Sequence, residues 1–164
     1  METSSTGVVK KAVSALYAAF QSDKDLEKKG IDLQYGTTTR GTVVINGEET
    51  PKQVPVIFTI ARAGGHNARF DKVFEHKTKP YKRMIQTDSL DPELGKTLMR
   101  ETYAETVVLG WQNVQGSDGE FLEFTQANVI QILTDLPDLF VDIQVQANKQ
   151  ALFRVVVVEE DVKN

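Results

Sequence analysis

The chain has 164 residues, of which 40% are apolar, with no cysteine and a formal net charge of -4. That length supports one core and leaves little for a second. The lack of cysteine excludes disulfides, thiolate metal sites and a thiol nucleophile, and the acidic balance argues against binding nucleic acid through overall charge.

The opening stretch METSSTGVVKKAVSALYAAF lacks a basic lead, a long apolar run and a cleavage site, so it reads as mature protein rather than a signal peptide. No segment approaches the roughly 18 to 20 continuous apolar residues of a membrane span, and a soluble protein is expected. Val8, Val9, Ala12, Val13, Leu16, Tyr17 and Phe20 recur at three- and four-residue steps, which predicts an amphipathic helix. Alternation of apolar and polar residues predicts strands over Ile31–Tyr35, Thr42–Ile45 and Val54–Ile60. Asn46-Gly47 forms the turn between the last two. Pro51 and Pro55 cannot donate to a ladder, so this part of the sheet belongs at an edge.

In IARAGGHNARF, the glycines Gly64 and Gly65 have two readings. They could form an anion-binding nest at a helix start, or a tight strand-to-helix corner with His66 or Asn67 as cap. The stretch lacks the Lys-Ser or Lys-Thr ending of a P-loop and does not match a dinucleotide fingerprint, which favours the corner. A helix follows, with Phe70, Val73 and Phe74 inward. Asp91-Pro92 starts another, predicted to run through Leu94, Leu98, Tyr103, Val107 and Trp111. Gly116–Gly119 is a turn, and Thr125 caps a short helix to Leu133. Thr134–Asp138 opens a long final helix carrying Leu139, Phe140, Ile143, Ala147, Ala151 and Phe153.

The expected fold is α+β: an N-terminal helix, a small antiparallel sheet of about three strands, then about four helices. Residues 1–21 form the N-terminal helix, read as a docking element. Residues 22–164 form a single domain ending in the long helix. The expected core comprises Tyr35, Val43, Ile45, Val56, Phe58, Phe70, Phe74, Leu98, Val107, Trp111, Ile132, Leu139, Phe140 and Ile143.

The residues carry no enzyme signature. His66 and His76 are too far apart for one helical turn and lack a carboxylate set, so no metal is expected. Asp118, Glu120 and Glu123 surround a turn without the EF-hand ligand pattern. No G-x-S-x-G occurs, and Glu101 and Glu105 fit an exposed helix face. The basic excess at Arg62, Arg69, Lys72, Lys77, Lys79, Lys82 and Arg83 comes without an aromatic platform, which favours docking of an acidic protein over nucleic acid. Val155–Val158 is a continuous apolar run before acidic residues. It cannot lie on one helix face, so part of it meets either a partner or another part of the same domain.

Four stretches taken in order resemble the tail assembly chaperones encoded in the tail-gene region of long-tailed bacteriophages. They are SDKDLEKKGIDLQYG, IARAGGHNARFDKVFEHKTKPYKR, ETVVLGWQNVQGSDGEFLEFTQANVIQIL, and LPDLFVDIQVQANKQALFR with its EEDVKN continuation. Together they cover most of the chain from about Ser22. The resemblance implies a non-enzymatic late phage protein in the host cytoplasm, without cofactor. It would transiently bind the tape-measure and tail-tube proteins, with self-association as a further contact. The alternative is a structural component of the virion, held by subunit contacts. The expected partner-binding residues are Val13, Leu16, Tyr17, Phe20, Arg69, Lys72, Lys79, Lys82 and Arg83.

Overall fold

The computed structural model of the protein describes residues 14–155, and the fold is α+β. Helix α1 (Ala15–Phe20) is the described part of the predicted N-terminal helix; Val8, Val9, Ala12 and Val13 lie outside the described residues. Helix α2 (Lys24–Lys29) begins at Asp23, whose Oδ1 accepts from the amides of Asp25 (2.9 Å) and Leu26 (3.2 Å). It ends at Gly30, where φ is 89° and a Cβ would stand 2.7 Å from the Ile60 carbonyl oxygen, so only glycine fits.

Strands β1 (Ile31–Ile45) and β2 (Glu48–Ile60) form one long antiparallel hairpin closed by Asn46-Gly47, both at positive φ as the sequence requires. The first two predicted strands are therefore one. The intervening Gly36 and Gly41 take positive φ at two register shifts, and the ladder resumes after each. The third strand is β3 (Val108–Gln112), which pairs with β2 from Ile57 to Ile60. Pro51 and Pro55 lie in the part of β2 that β3 does not reach, so the proline argument for an edge position holds. Beyond Gly41 the hairpin stands clear of the core. Val43 and Ile45, expected inside, are 40% and 53% exposed, because among the described residues no helix covers that length of sheet.

Helix α3 (Ala68–Thr78) leads through a 3-10 turn, Lys79–Tyr81, into α4 (Lys82–Gln86). Helix α5 (Pro92–Thr106) starts on the Asp91 cap, with Pro92 in its first turn. It stops before Trp111: the β-branched Val107 and Val108 and the glycine Gly110 are poor helix formers, and pairing of Phe58 with Trp111 and of Thr59 with Gly110 takes over. Helix α6 (Gln126–Asp135) is capped by the Thr125 hydroxyl, which accepts from the Asn128 amide at 3.1 Å. Helix α7 (Pro137–Asn148) is shorter than predicted. Lys149 turns extended, and Phe153 is delivered by a separate 3-10 turn, Gln150–Phe153.

The core lies between one face of the sheet and α5, α6 and α7. It contains Phe58, Ile60, Val108, Tyr103, Val107, Val129, Ile132, Leu133, Phe140 and Ile143. Aromatic edges connect its layers: Tyr35 to Phe58, Phe58 to Trp111 and Trp111 to Phe124 across the sheet, and Tyr103 to Phe70 and Phe140 between helices. The Tyr35 hydroxyl donates to Asp142 Oδ2 at 2.6 Å, tying β1 to α7. Burial and the Asp142 charge push the Tyr35 hydroxyl above its usual range, while its hydrogen bond, with that of Gln146, holds Asp142 below the usual carboxylate range.

Trp111 is half-buried and donates Nε1–H to the Leu122 carbonyl at 3.0 Å. Trp111→Ala is expected to cost about 2 kcal/mol in urea unfolding, below the roughly 3 to 5 kcal/mol of a fully buried ring. A loss under about 1 kcal/mol would show that the ring contributes little to the sheet's packing.

Candidate functional site

The corner after β2 joins three parts of the molecule. The amides of Ala61, Arg62 and Ala63 donate in turn to the carbonyls of Val107 (2.8 Å), Glu27 (3.0 Å) and Ala147 (3.0 Å). Gly64 and Gly65 then take φ of 96° and 57°, which turns the chain into α3. Asn67 does not cap α3 through its side chain. It is buried, and its Nδ2 donates to the Arg62 carbonyl (2.8 Å) and the Thr106 carbonyl (3.1 Å), fastening the corner to the end of α5.

At this corner sits Glu27, a fully buried carboxylate. Its Oε1 accepts from Arg62 Nη1, while Oε2 accepts from the His66 amide at 2.6 Å and lies 2.6 Å from His66 Nδ1. The one backbone amide of this corner that meets an anion, that of His66, is thus taken by the protein's own carboxylate, which favours the corner reading of this stretch. Burial works to raise the Glu27 carboxyl, but hydrogen bonds from Ser22, Arg62 and His66 outweigh it and bring the pKa to about 2. No sequence signal marked Glu27, which stands among charged neighbours in DLEKK.

The predicted docking residues fall into two groups. Leu16, Tyr17 and Phe20 are 61% to 64% exposed on α1 and, with Gln21, Ser22, Lys24 and His66, line a cavity of about 440 Å³. Val13 lies outside the described residues. At the far end of α3, Lys79 and Lys82 line a groove of about 480 Å³ floored by Phe74 and Ile85, with exposed Arg83 on the same short helix as Lys82. Arg69 and Lys72 are exposed on α3, so the basic residues are strung along α3, the 3-10 turn and α4 rather than gathered in one patch.

Two of the basic residues read as available for docking are engaged internally. Arg62 holds Glu27, and Lys77 Nζ bridges Glu101 (3.5 Å) and Glu105 (3.6 Å) of α5. That bridge also gives the carboxylates at helical spacing a structural partner.

A family model described as YdaY prophage protein matches residues 65–164. The chain belongs to the YdaY prophage protein family. The bacteriophage origin implied by the resemblance is therefore shown. The match begins at Gly65, within the corner, and takes in α3 with its basic residues and every element after it. No curated protein and no solved structure matches the chain.

Proposed function

We propose that this prophage protein is a non-enzymatic tail assembly chaperone. It acts in the host cytoplasm by transiently covering apolar helical segments of the tape-measure protein and handing them to tail-tube subunits. The observation that carries the proposal is the α1 stripe: three large apolar side chains exposed side by side above a cavity, in a helix with no buried residue. Such a surface suits reversible capture of an amphipathic helix. The second groove, apolar at Phe74 and Ile85 and cationic at Lys79 and Lys82, suits the acidic flank of such a segment. Phage-family membership supports the setting.

Leu16→Asp with Phe20→Asp is expected to abolish retention of purified tape-measure segments while leaving the melting temperature unchanged, since α1 buries nothing. Equal retention by the variant would remove the proposal. Mass spectrometry of purified particles provides the second check: many copies per virion would assign the protein to the particle as a structural component.

Charge reversal at Lys79, Lys82 and Arg83 is expected to weaken the same binding roughly tenfold at low salt and much less at high salt, because rim charges act mainly through screened attraction. Folding should be unaffected, as all three side chains are exposed. Binding that is unchanged at low salt would reduce these residues to a solvated face.

A further inference from the structure

We propose that β1 pairs antiparallel with β1 of a second copy of this chain, about a two-fold axis between Gly41 and Thr42, to give one continuous six-stranded sheet. The surface is distinct from the α1 stripe, and the pairing stands or falls without the chaperone reading.

In the sheet order β1-β2-β3, β1 is an edge strand over all 15 of its residues. The unpaired N–H and C=O groups of an edge are a template for another strand, and proteins blunt such edges with proline and charge. Where β3 leaves it, β2 is blunted in this way: it carries Glu48, Glu49, Pro51, Lys52 and Pro55, and Asn113 Nδ2 donates to the Pro55 carbonyl at 2.8 Å. The distal half of β1 is not. Thr37–Ile45 has no proline, and seven of its nine residues are β-branched. Its one charge, Arg40, is turned to its own chain, 4.2 Å over the Phe121 ring and donating to Asn113 Oδ1 at 3.0 Å. Every residue from Thr39 to Ile45 is exposed. A two-stranded ribbon is marginal in water by itself, and a further strand is what it lacks.

The occupant that fits this edge is the same strand. Directly paired residues share a face, so the partners Val54, Thr50 and Glu48 put Thr38, Val43 and Ile45 on the Phe58 face of the sheet. Thr39, Thr42 and Val44, paired with Gln53, Pro51 and Glu49, lie on the other. In a regular strand Thr38 and Ile45 would point to opposite faces; the register shift at Gly41 brings them onto one. An axis between Gly41 and Thr42 therefore sets Thr38 opposite Ile45 and Thr39 opposite Val44 with their faces matched. The ladder then ends where the register shift at Gly36 in one copy meets the Asn46-Gly47 turn of the other. Arg40 falls opposite Val43, so no like charges meet. Pairing over this length supplies about ten backbone hydrogen bonds, the number in an ordinary interface. The outer edges of the joined sheet are the five-residue β3 and the proline-bearing length of β2, so assembly closes at two copies. A ladder with little apolar area around it makes a weak, reversible dimer.

The natural lack of cysteine makes the test direct. Thr39→Cys chains and Val44→Cys chains are to be mixed and oxidised mildly. A disulfide-linked pair containing one of each is expected, read by mass. Either variant alone should give little, because five residues of strand separate the two positions by roughly 15 Å, beyond the reach of a disulfide. No mixed product, or equal yields from the single variants, overturns the pairing. In sedimentation equilibrium the wild-type mass should rise with concentration from one chain to two; a mass that stays at one chain, or grows past two, overturns it as well. Thr39→Lys with Val44→Lys sets lysines against lysines across the axis and is expected to raise the dimer Kd roughly tenfold at an unchanged melting temperature, since both side chains are exposed. An unchanged Kd counts against this edge. A chain that dimerises yet captures no tape-measure segment supports the pairing and removes the chaperone reading, and a monomer that captures one does the reverse.

Discussion

Glu27→Gln is expected to lower the unfolding free energy by about 3 kcal/mol at pH 7, because it removes the carboxylate that balances Arg62 within the buried corner. The cost sits near the low end for a broken buried pair, since the Arg62 side chain is 21% exposed and recovers some hydration. The same magnitude follows from titration. A carboxyl with an ordinary pKa of 4.5 that is held at about 2 in the fold gains about 3 kcal/mol when ionised.

The sign of the pH dependence is fixed by that depression. The contribution is fully present above the unfolded value of 4.5 and is lost as pH falls toward 2, where both states bind the proton. Wild-type and variant urea midpoints should therefore differ most near neutrality and converge between pH 4.5 and 2. Arg62→Met on the Glu27→Gln background should restore part of the loss, as the unbalanced cation goes with its partner. Equal stability of wild type and Glu27→Gln at pH 7 would mean that the corner is held by its backbone bonds to Val107 and Ala147 without help from the carboxylate.

The legible parts of this fold are those written in local chemistry. Asn46-Gly47, Asp91-Pro92 and Thr125 each state a turn or cap through their own backbone preferences, and the structure follows all three. The element order that defines the α+β class followed from such signals. Errors arose where a distant element decided the outcome. Trp111 continues the stripe of Leu98 and Val107 at helical spacing, yet pairing with Phe58 makes it a strand residue. Val43 and Ile45 alternate as core strand residues do, but the sheet outruns its helices there.

For the candidate site, the exposed α1 stripe and the lysines of the α3–α4 corner were readable, since amphipathic spacing and charge runs are properties of short segments. Glu27 was not. Its burial depends on Arg62 and His66 arriving from more than thirty residues away, and no spacing within DLEKK encodes that. Phe153 was placed inside for a different reason from the one that buries it. As a continuation of the α7 stripe it would follow Ala147, whereas Lys149 ends the helix and a 3-10 turn carries the ring into the interior.

Phe153→Ala is expected to cost about 3 to 5 kcal/mol, the range for deleting a ring from a closed site. Phe153→Leu should cost at most about 1.5 kcal/mol, because most of the volume is kept. The ring is 0% exposed, and its residue's carbonyl holds the Asp23 amide at the start of α2, the helix that carries Glu27. Loss of the ring should therefore loosen the seat of α2 as well as leave a cavity. Two consequences separate this from a plain cavity. The Phe153→Ala and Glu27→Gln losses should fall short of additivity by more than about 0.5 kcal/mol, since each weakens the support that the other needs. The urea m-value should stay at the wild-type value, because the change lowers stability without altering the surface exposed on unfolding. Full additivity would show that Phe153 and Glu27 stabilise the fold independently, and a loss under about 1 kcal/mol for Phe153→Ala would show that the final turn is not a support of the core.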